Sequence, residues 1–382
     1  MLKTLKIENF RGFQSFELQP LGRVNLLVGK NNSGKTSILE AIQFLLCSRT
    51  NLEPLFKTMI ERGEYSLTND NIRTERELEI RHLFHGHDID IDSQFSISSQ
   101  DESYQKKVTI SIHSILSTSE LETDSESDEQ LSYENLSAND SVELVKLGFN
   151  IRWNYENQDP ENWERLLSSN GGLSDRSIRI NRLSLSNKKT PPLTQFITSS
   201  SLSIEMMISL FDNIVLTPEE KLVYEALQTI EPTIERIASL GSKIYRSSTS
   251  RGGFVVLLSD RQQRIPIGSL GDGIWRMLGL ALALASVKGG VLLVDEIDTG
   301  LHYSTMSDLW KLIWEAAKKL DVQVFATTHN SDCWTSLASI ANREDAAEDG
   351  ITIHRIERGK QKSVVFTEKE IVMAAEREIE VR

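Results

Sequence analysis

Cysteine is scarce in this sequence, with only Cys47 and Cys333 among 382 residues. Two cysteines exclude a disulfide framework, a four-cysteine zinc site and a Cys-x-x-Cys hook. Long apolar runs are also missing, since no stretch reaches the roughly 18 residues that a membrane-spanning helix needs. The opening MLKTLKIENFRGF places charges every few residues and lacks the apolar core of a signal peptide. We therefore expect no membrane segment and a cytoplasmic location.

Basic residues are also fewer than acidic residues. Forty-two Lys and Arg residues are set against 55 Asp and Glu residues, which gives a net charge of -13. This balance excludes a basic coat over the whole surface, so any DNA contact has to be a local basic patch. The apolar share of 39% and the charged share of 25% indicate a folded chain. A length of 382 residues suits one large domain with insertions, or two domains.

A glycine-rich loop between a strand and a helix is the first pattern that predicts chemistry. Residues 29–36 read GKNNSGKT, which fits G-x-x-x-x-G-K-[ST], and they lie between the apolar run 24–28 and a helical pattern over 37–46. Such loops aim backbone N–H groups at phosphate oxygens, so Lys35 would bridge the β and γ phosphates of ATP and the Thr36 hydroxyl would ligate Mg²⁺. The predicted phosphate-binding residues are Gly29, Asn31, Asn32, Ser33, Gly34, Lys35, Thr36 and Ser37.

Two further apolar runs end in polar residues that suit the same chemistry. Run 291–294 leads into Asp295 and Glu296, and run 322–326 leads, through two threonines, to His329. Parallel strands with these ends would meet at one crevice of an α/β sheet. Asp295 would hold the Mg²⁺ shell through water, and Glu296 would act as the general base that polarises the attacking water. His329 is predicted to sense the γ phosphate; a purely structural histidine is the alternative, and both roles can coexist.

Together with two more segments, these motifs resemble the ABC-type ATPases of the SMC, RecF and OLD (overcoming lysogenization defect) group. The segments are the opening Ile7–Phe13 and the sequence Ser269–Gly273 before the Asp-Glu strand. The resemblance implies an arginine that reaches the nucleotide phosphates, a signature that caps the γ phosphate of the opposite subunit, and an acid that couples the two sites. The additional nucleotide-site residues implied in this way are Arg11, Ser269, Gly271, Asp272, Gly273 and Asp298.

The implied signature departs from the family pattern at one position. Gly271 stands where a serine is usual, which leaves the contact across the dimer to backbone N–H groups or to Ser269. The family also has a glutamine that senses magnesium. Its position in this sequence is not assigned, and the candidates are Gln43 and Gln195. ATP and Mg²⁺ are the implied cofactors, and a homodimer with ATP at its interface is the implied assembly.

The fold class implied by the resemblance is α/β: a P-loop NTPase built as an ABC-type ATPase head, with a mixed or parallel sheet, an antiparallel β lobe and a helical lobe. Residues 1–65 would form the N-terminal half of the head with the phosphate loop, 66–204 an inserted β-rich lobe, and 205–382 the C-terminal half. Inside the lobe, residues 114–141 carry eight carboxylates and no Lys or Arg. This composition predicts a solvated, mobile loop.

A histidine cluster in the lobe has residue types that bind metals. Its members are His82, His85 and His87, followed by Asp88, Asp90 and Asp92. Their spacing matches no standard set of metal ligands. The alternation of Asp with Ile over 88–92 instead predicts a strand with one solvent-exposed face.

Two functions are compatible with these features. After His329, 53 residues remain, too few for the TOPRIM nuclease domain that OLD-family nucleases carry. We therefore expect an ATP-gated dimer, similar to the stand-alone ATPase subunits of bacterial defence systems, that controls a separate effector such as a nuclease or toxin. The alternative is a RecF-like repair protein whose ATP-bound dimer clamps DNA, although a charge of -13 argues against extensive phosphate contact. A transporter subunit is disfavoured by the signature and by the large polar insertion.

Overall fold

A computed structural model describes residues 1–48, 51–70, 73–101, 104–116, 145–155, 159–174, 194–240, 253–341 and 350–381. The strands are β1 Leu5–Phe10, β2 Phe13–Leu18, β3 Val24–Val28, β4 Tyr65–Asp70, β5 Arg73–Leu78, β6 Gln94–Asp101, β7 Tyr104–Leu116, β8 Val145–Tyr155, β9 Glu161–Leu166, β10 Leu173–Ser174, β11 Thr194–Ile197, β12 Ile234–Ser239, β13 Phe254–Leu258, β14 Ile265–Pro266, β15 Val291–Val294, β16 Gln323–Thr327, β17 Ile351–Arg355 and β18 Val364–Phe366. The helices are α1 Lys35–Leu46, α2 Glu53–Glu61, α3 Ile204–Ile214, α4 Glu220–Ile230, α5 Asp272–Ser286, α6 Met306–Leu320, α7 Ser331–Ala341 and α8 Glu368–Glu376.

The central sheet has six strands in the order β11-β15-β16-β3-β17-β18. The first five are parallel, and β18 pairs antiparallel with β17. Strands β3, β15 and β16 are buried at every residue. Burial on both faces explains why they appear in the sequence as continuous apolar runs rather than as alternating patterns. The two parallel strands predicted at 291–294 and 322–326 are confirmed.

Helix α1 separates the central sheet from an antiparallel sheet of order β2-β1-β6-β7-β8-β9. Alternation along the central strands divides their side chains between two hydrophobic cores. Leu293 and Phe325 pack with α1 and the antiparallel sheet, while Leu292 and Val324 pack on the other side with helices α3 to α8. Two smaller sheets, β10-β5-β4 and β12-β13-β14, complete the described part. The predicted α/β class, with an antiparallel β region and a helical region, is confirmed.

Two sheets cross the boundaries predicted for the segments 1–65, 66–204 and 205–382. Strand β1 pairs with β6, with Ile7 opposite Ile97, and β11 pairs with β15, with Gln195 opposite Leu292. The described part of 66–204 therefore contributes strands to both large sheets, while the sheet β10-β5-β4 lies almost entirely within it, and the division into three segments stays a prediction. Single-sequence patterns show the strands but not which distant strand each one joins. Most of the acidic stretch at about 114–141 lies outside the described residues, because these stop at residue 116 and resume at residue 145.

The described ranges contain no helix that is both long enough and apolar enough to cross a bilayer. Both cysteines are buried, and neither forms a disulfide bond. Because Cys333 lies deep in the core, burial raises the pKa of its thiol well above the usual value, which makes it a poor nucleophile.

Candidate active site

Three neighbouring strands end at one edge of the central sheet and bring the predicted motifs together. Strand β16 lies between β15 and β3, with Ala326 opposite both Val294 and Leu26. The phosphate loop follows β3, the two acids follow β15, and His329 follows β16. The shared crevice predicted from the strand ends is thus present.

The shape of the phosphate loop depends on two glycines. Gly29 has φ 141°, and a Cβ there would lie 2.4 Å from the carbonyl oxygen of Ile356. Gly34 has φ 100°, and a Cβ there would lie 2.4 Å from the Phe13 ring. Both positions therefore exclude other residues on conformational and on steric grounds. Gly34 is also the N-cap of α1, where no side chain of the described residues caps the helix, so the first-turn N–H groups can serve a phosphate.

Lys35 is the cation of this loop and is 5% exposed. Its Nζ donates to the carbonyl oxygens of Gly29 at 2.8 Å and Lys30 at 3.0 Å, and lies 3.4 Å from Nδ1 of His329. Burial lowers the pKa of Lys35 to about 8, and the carboxylates of Asp295 and Glu296 oppose this shift. The ammonium is thus a poorly solvated charge that an anionic phosphate would stabilise.

Thr36 and Asp295 form the pair predicted to hold magnesium. The Thr36 hydroxyl donates to Oδ2 of Asp295 at 3.0 Å, and the Thr327 hydroxyl donates to Oδ1 at 2.6 Å. A hydroxyl next to a carboxylate suits Mg²⁺, which takes oxygen ligands and usually binds through one or two carboxylates together with substrate phosphates. The described residues hold no group of three or more His, Cys, Asp or Glu side chains able to cage a metal. A magnesium ion here would therefore depend on ATP for part of its ligand shell.

His329 lies beside Lys35 and the three acids. Partial burial lowers the pKa of His329, the Lys35 ammonium lowers it further, and Glu296, Asp295 and Asp298 oppose both effects. The imidazole is therefore mainly neutral at pH 7, and it can accept a hydrogen bond from Lys35 or donate one to a phosphate oxygen.

We expect His329→Ala to reduce turnover more than nucleotide binding. A group that contacts only the terminal phosphate stabilises the transition state for its transfer and contributes little to holding the nucleoside. Steady-state kinetics combined with ATP and ADP titrations would separate the two effects. If the variant loses affinity for ATP and for ADP equally, and hydrolyses each bound ATP at the normal rate, then His329 is a structural residue.

The predicted signature lies at the N-terminus of α5. Gly271, with φ 95°, is the N-cap, and both it and Ser269 are exposed. Gly273 approaches the loop after the acids so closely that a Cβ there would lie 3.1 Å from the carbonyl oxygen of Gly300. Asp298 in that loop accepts a hydrogen bond from the Thr328 hydroxyl at 2.6 Å. Within the described residues, no hydrogen bond joins Ser269 or Gly271 to the phosphate loop of the same chain, so their contact across a dimer stays a prediction.

Arg11 lies in a buried ion-pair cluster. Its Nε is 2.6 Å from Oε2 of Glu40, and its guanidinium donates to both carboxylate oxygens of Glu64. Burial raises the pKa of Glu40, and the guanidinium groups of Arg11 and Arg62 oppose this rise. The structure thus pairs Arg11 with carboxylates, and its predicted contact with nucleotide phosphates stays a prediction.

The two glutamine candidates have other partners. Oε1 of Gln43 accepts a hydrogen bond from the Thr58 hydroxyl at 3.1 Å, and the Gln195 amide donates to the carbonyl of Phe196 at 3.5 Å. Neither contact is to the Thr36–Asp295 pair, so the magnesium-sensing glutamine stays unassigned.

The strand predicted over Asp88–Asp92 is wrong, because these residues form turns and irregular backbone. In the preceding cluster, Nδ1 of His82 lies 3.3 Å from Nδ1 of His87. The described residues include no group of three or more His, Cys, Asp or Glu side chains that could hold a metal.

The sequence analysis missed two residues that contact Asp295 and Glu296. Thr327 donates to Asp295, and Arg276 of α5 donates to the carbonyl oxygens of Asp295 and Glu296. The available signal for Arg276 was its position as the lone basic residue in a nearly all-apolar helix, since a buried charge needs a partner. The signal for Thr327 was a hydroxyl directly at a functional strand end.

Strand, glycine loop and helix in this order, with an acidic strand end close to the loop threonine, define a P-loop nucleotide hydrolase. The chain belongs to the family of the AAA ATPase domain, whose model matches residues 1–333. It is an ATPase, and the predicted resemblance to SMC and RecF-like ABC-type P-loop ATPases is confirmed.

Individual relatives span different parts of the chain. An ATP/GTP phosphatase of Helicobacter pylori is 21% identical over 369 residues, covering 91% of this chain and 90% of the relative. The DNA replication and repair protein RecF of Shewanella pealeana is 46% identical over 67 residues, covering 18% of this chain and 19% of RecF. Among solved structures, an Smc head bound to the C-winged helix domain of ScpA is 14% identical with a TM-score of 0.45, and the alignment covers 96% of this chain and 97% of the Smc head.

Proposed function

We propose that the protein is an ATP-gated dimeric switch that controls a separate effector, a nuclease or toxin of bacterial defence. The observation that supports the dimer is the exposed signature at the start of α5. The signature lies at a helix N-terminus, and Gly273 lies so close to the loop after Asp298 that a Cβ there would be 3.1 Å from the Gly300 carbonyl oxygen. A phosphate held by a second copy would fit at such a helix N-terminus. Closing of the two copies would then depend on ATP.

The contacts described above support a role for each residue of the site. Lys35 and the loop N–H groups would hold the phosphates, and Thr36 and Asp295 would hold Mg²⁺, which would supply positive charge to neutralise the phosphates. Glu296 accepts a proton from the attacking water, and His329 contacts the γ phosphate. Asn31, Asn32, Ser33 and Ser37 contribute backbone or hydroxyl groups around the phosphates, as the resemblance implies.

The second candidate is a RecF or SMC-like ATPase that clamps DNA in its ATP-bound dimer. The observation in its favour is the 67-residue segment that is 46% identical to RecF. The charge of -13 disfavours it, because DNA affinity arises mainly from Lys and Arg contacts to phosphates.

Light scattering with ATP and with ADP would test the switch. We expect a dimer mass with ATP and Mg²⁺ and a monomer mass with ADP, since a ligand favours the state that binds it more tightly. A mass that does not depend on nucleotide would contradict the switch. A gel shift with duplex DNA at two salt concentrations separates the candidates, because ATP-dependent binding that weakens as salt rises indicates the DNA clamp.

A further inference from the structure

The backbone at Glu296 has an unusual conformation. Its φ is 48°, in the left-handed region that residues other than glycine and asparagine rarely adopt. Holding such a residue there costs free energy, so the surrounding contacts have to fix it.

The positive φ has a geometric consequence for the two acids. Successive residues of a strand point to opposite faces, so Asp295 and Glu296 would diverge if β15 simply continued. In the structure β15 ends at Val294, the Asp295 carboxylate accepts a hydrogen bond from the Thr36 hydroxyl at 3.0 Å, and the Glu296 carboxylate accepts one from the Thr299 hydroxyl at 3.1 Å. The left-handed φ at Glu296 turns the chain away from the strand direction, so the Glu296 side chain is not bound to the face opposite Asp295.

Thr327 fixes the N–H side of this residue. The Glu296 N–H donates to the Thr327 hydroxyl oxygen at 2.8 Å, while the same hydroxyl donates to Oδ1 of Asp295 at 2.6 Å. Thr327 is fully buried at the end of β16. One hydroxyl therefore sets the orientation of the Glu296 peptide and of the Asp295 carboxylate together.

Arg276 fixes the carbonyl side. One guanidinium nitrogen donates to the carbonyl oxygens of Asp295 at 2.9 Å and Glu296 at 3.0 Å, and the other donates to Thr198 at 2.8 Å. Arg276 is 4% exposed, so the hydrogen bonds lie in a protected, low-dielectric region where they are strong. The planar fork reaches three carbonyl groups, which a lysine ammonium does with less fixed geometry.

We propose that Thr327 and Arg276 are positioning residues that hold the Glu296 backbone in its left-handed conformation and thereby aim its carboxylate at the attacking water. This proposal rests on the assignment of Glu296 as general base. Neither residue touches the reacting atoms; Arg276 acts through the backbone at Glu296, and Thr327 acts through the Glu296 N–H while also orienting the Asp295 carboxylate.

Kinetics of Thr327→Val and Arg276→Met test the proposal. We expect each to lower kcat by about 100-fold, the effect of displacing a catalytic group by roughly 1 Å, with the ATP dissociation constant unchanged. Thr327→Ser keeps the hydroxyl and should restore most of kcat, and Arg276→Lys should restore only part. Thr335→Val, at an exposed position of α7, is the matched control and should leave kcat unchanged.

The same substitutions in a Glu296→Gln background distinguish positioning from a general structural role. If both residues act through Glu296, they should lower the residual rate of that variant no further, because groups that act as a unit are non-additive. An additive loss would overturn the proposal. So would a Thr327→Val rate that recovers fully at high Mg²⁺, since Thr327 would then act only through Asp295. A wild-type rate in Glu296→Gln alone contradicts the general base itself, and with it the proposed chemistry, independently of the other variants.

Discussion

Glu296→Gln is expected to slow ATP hydrolysis about 100-fold to 10000-fold while ATP binding is retained. The amide keeps the size of the side chain and can still accept from the Thr299 hydroxyl, which lies 3.1 Å from Oε2 of Glu296. It cannot accept a proton from water at neutral pH. Asp295 and Thr36 are untouched, so the proposed Mg²⁺ ligands remain. Single-turnover hydrolysis and an ATP titration measure the two quantities separately.

The variant should also accumulate the ATP-bound dimer, because trapped ATP keeps the population in the state that binds it. Gly271 has no side chain to contact a phosphate, so the double variant with Gly271→Ser is a necessary companion. Space allows the serine, since no atom lies within 4 Å of a Cβ at Gly271, although its φ of 95° adds strain. If Glu296→Gln hydrolyses ATP at the wild-type rate, Glu296 is not the general base. If both variants have the same mass with and without ATP, the hypothesis of an ATP-gated dimer is wrong.

Lys35→Ala is expected to weaken ATP binding by about 100-fold or more, equivalent to about 3 kcal/mol, because it removes the cation that faces the phosphates. The fold should survive, since a buried ammonium whose pKa is lowered to about 8 is costly to keep desolvated. Calorimetric titration with ATP measures the affinity, and thermal unfolding checks the fold.

Lys57→Ala provides the matched control for that loss. Lys57 is an exposed lysine of α2 that pairs with Glu61, so the substitution removes the same charge from the protein at a surface site. Surface pairs of this kind contribute little. If Lys35→Ala binds ATP as tightly as Lys57→Ala does, the phosphate-loop assignment fails.

The parts of the site that the sequence predicted are those with local signals. The phosphate loop is a contiguous motif, and the strand-end positions of Asp295 and His329 follow from short, fully apolar runs in a parallel sheet. Strand direction alone then brings them to one edge. No long-range knowledge was needed beyond the rule that parallel strands share their carboxyl ends.

The parts that could not be predicted depend on contacts between distant residues. Glu40 and Glu64 surround Arg11, and nothing in the local sequence marks those partners. Thr327 and Arg276 acquire roles only when α5, β15 and β16 meet. The pairing of β1 with β6 likewise joins segments that show ordinary alternation, which fits many partners.

The central position of β3 in the sheet has a consequence for folding during protein synthesis. Its two neighbours, β16 and β17, come from residues 323–327 and 351–355, so both edges of this early strand stay unpaired during synthesis until those residues leave the ribosome. Unpaired apolar strands invite aggregation, and pairings over such sequence distances form slowly. The carbonyl of Ile356 also packs against Gly29, so the phosphate loop lacks one of its native contacts until that late stage. We therefore expect ATP to stabilise finished molecules more than chains that stop short of β17.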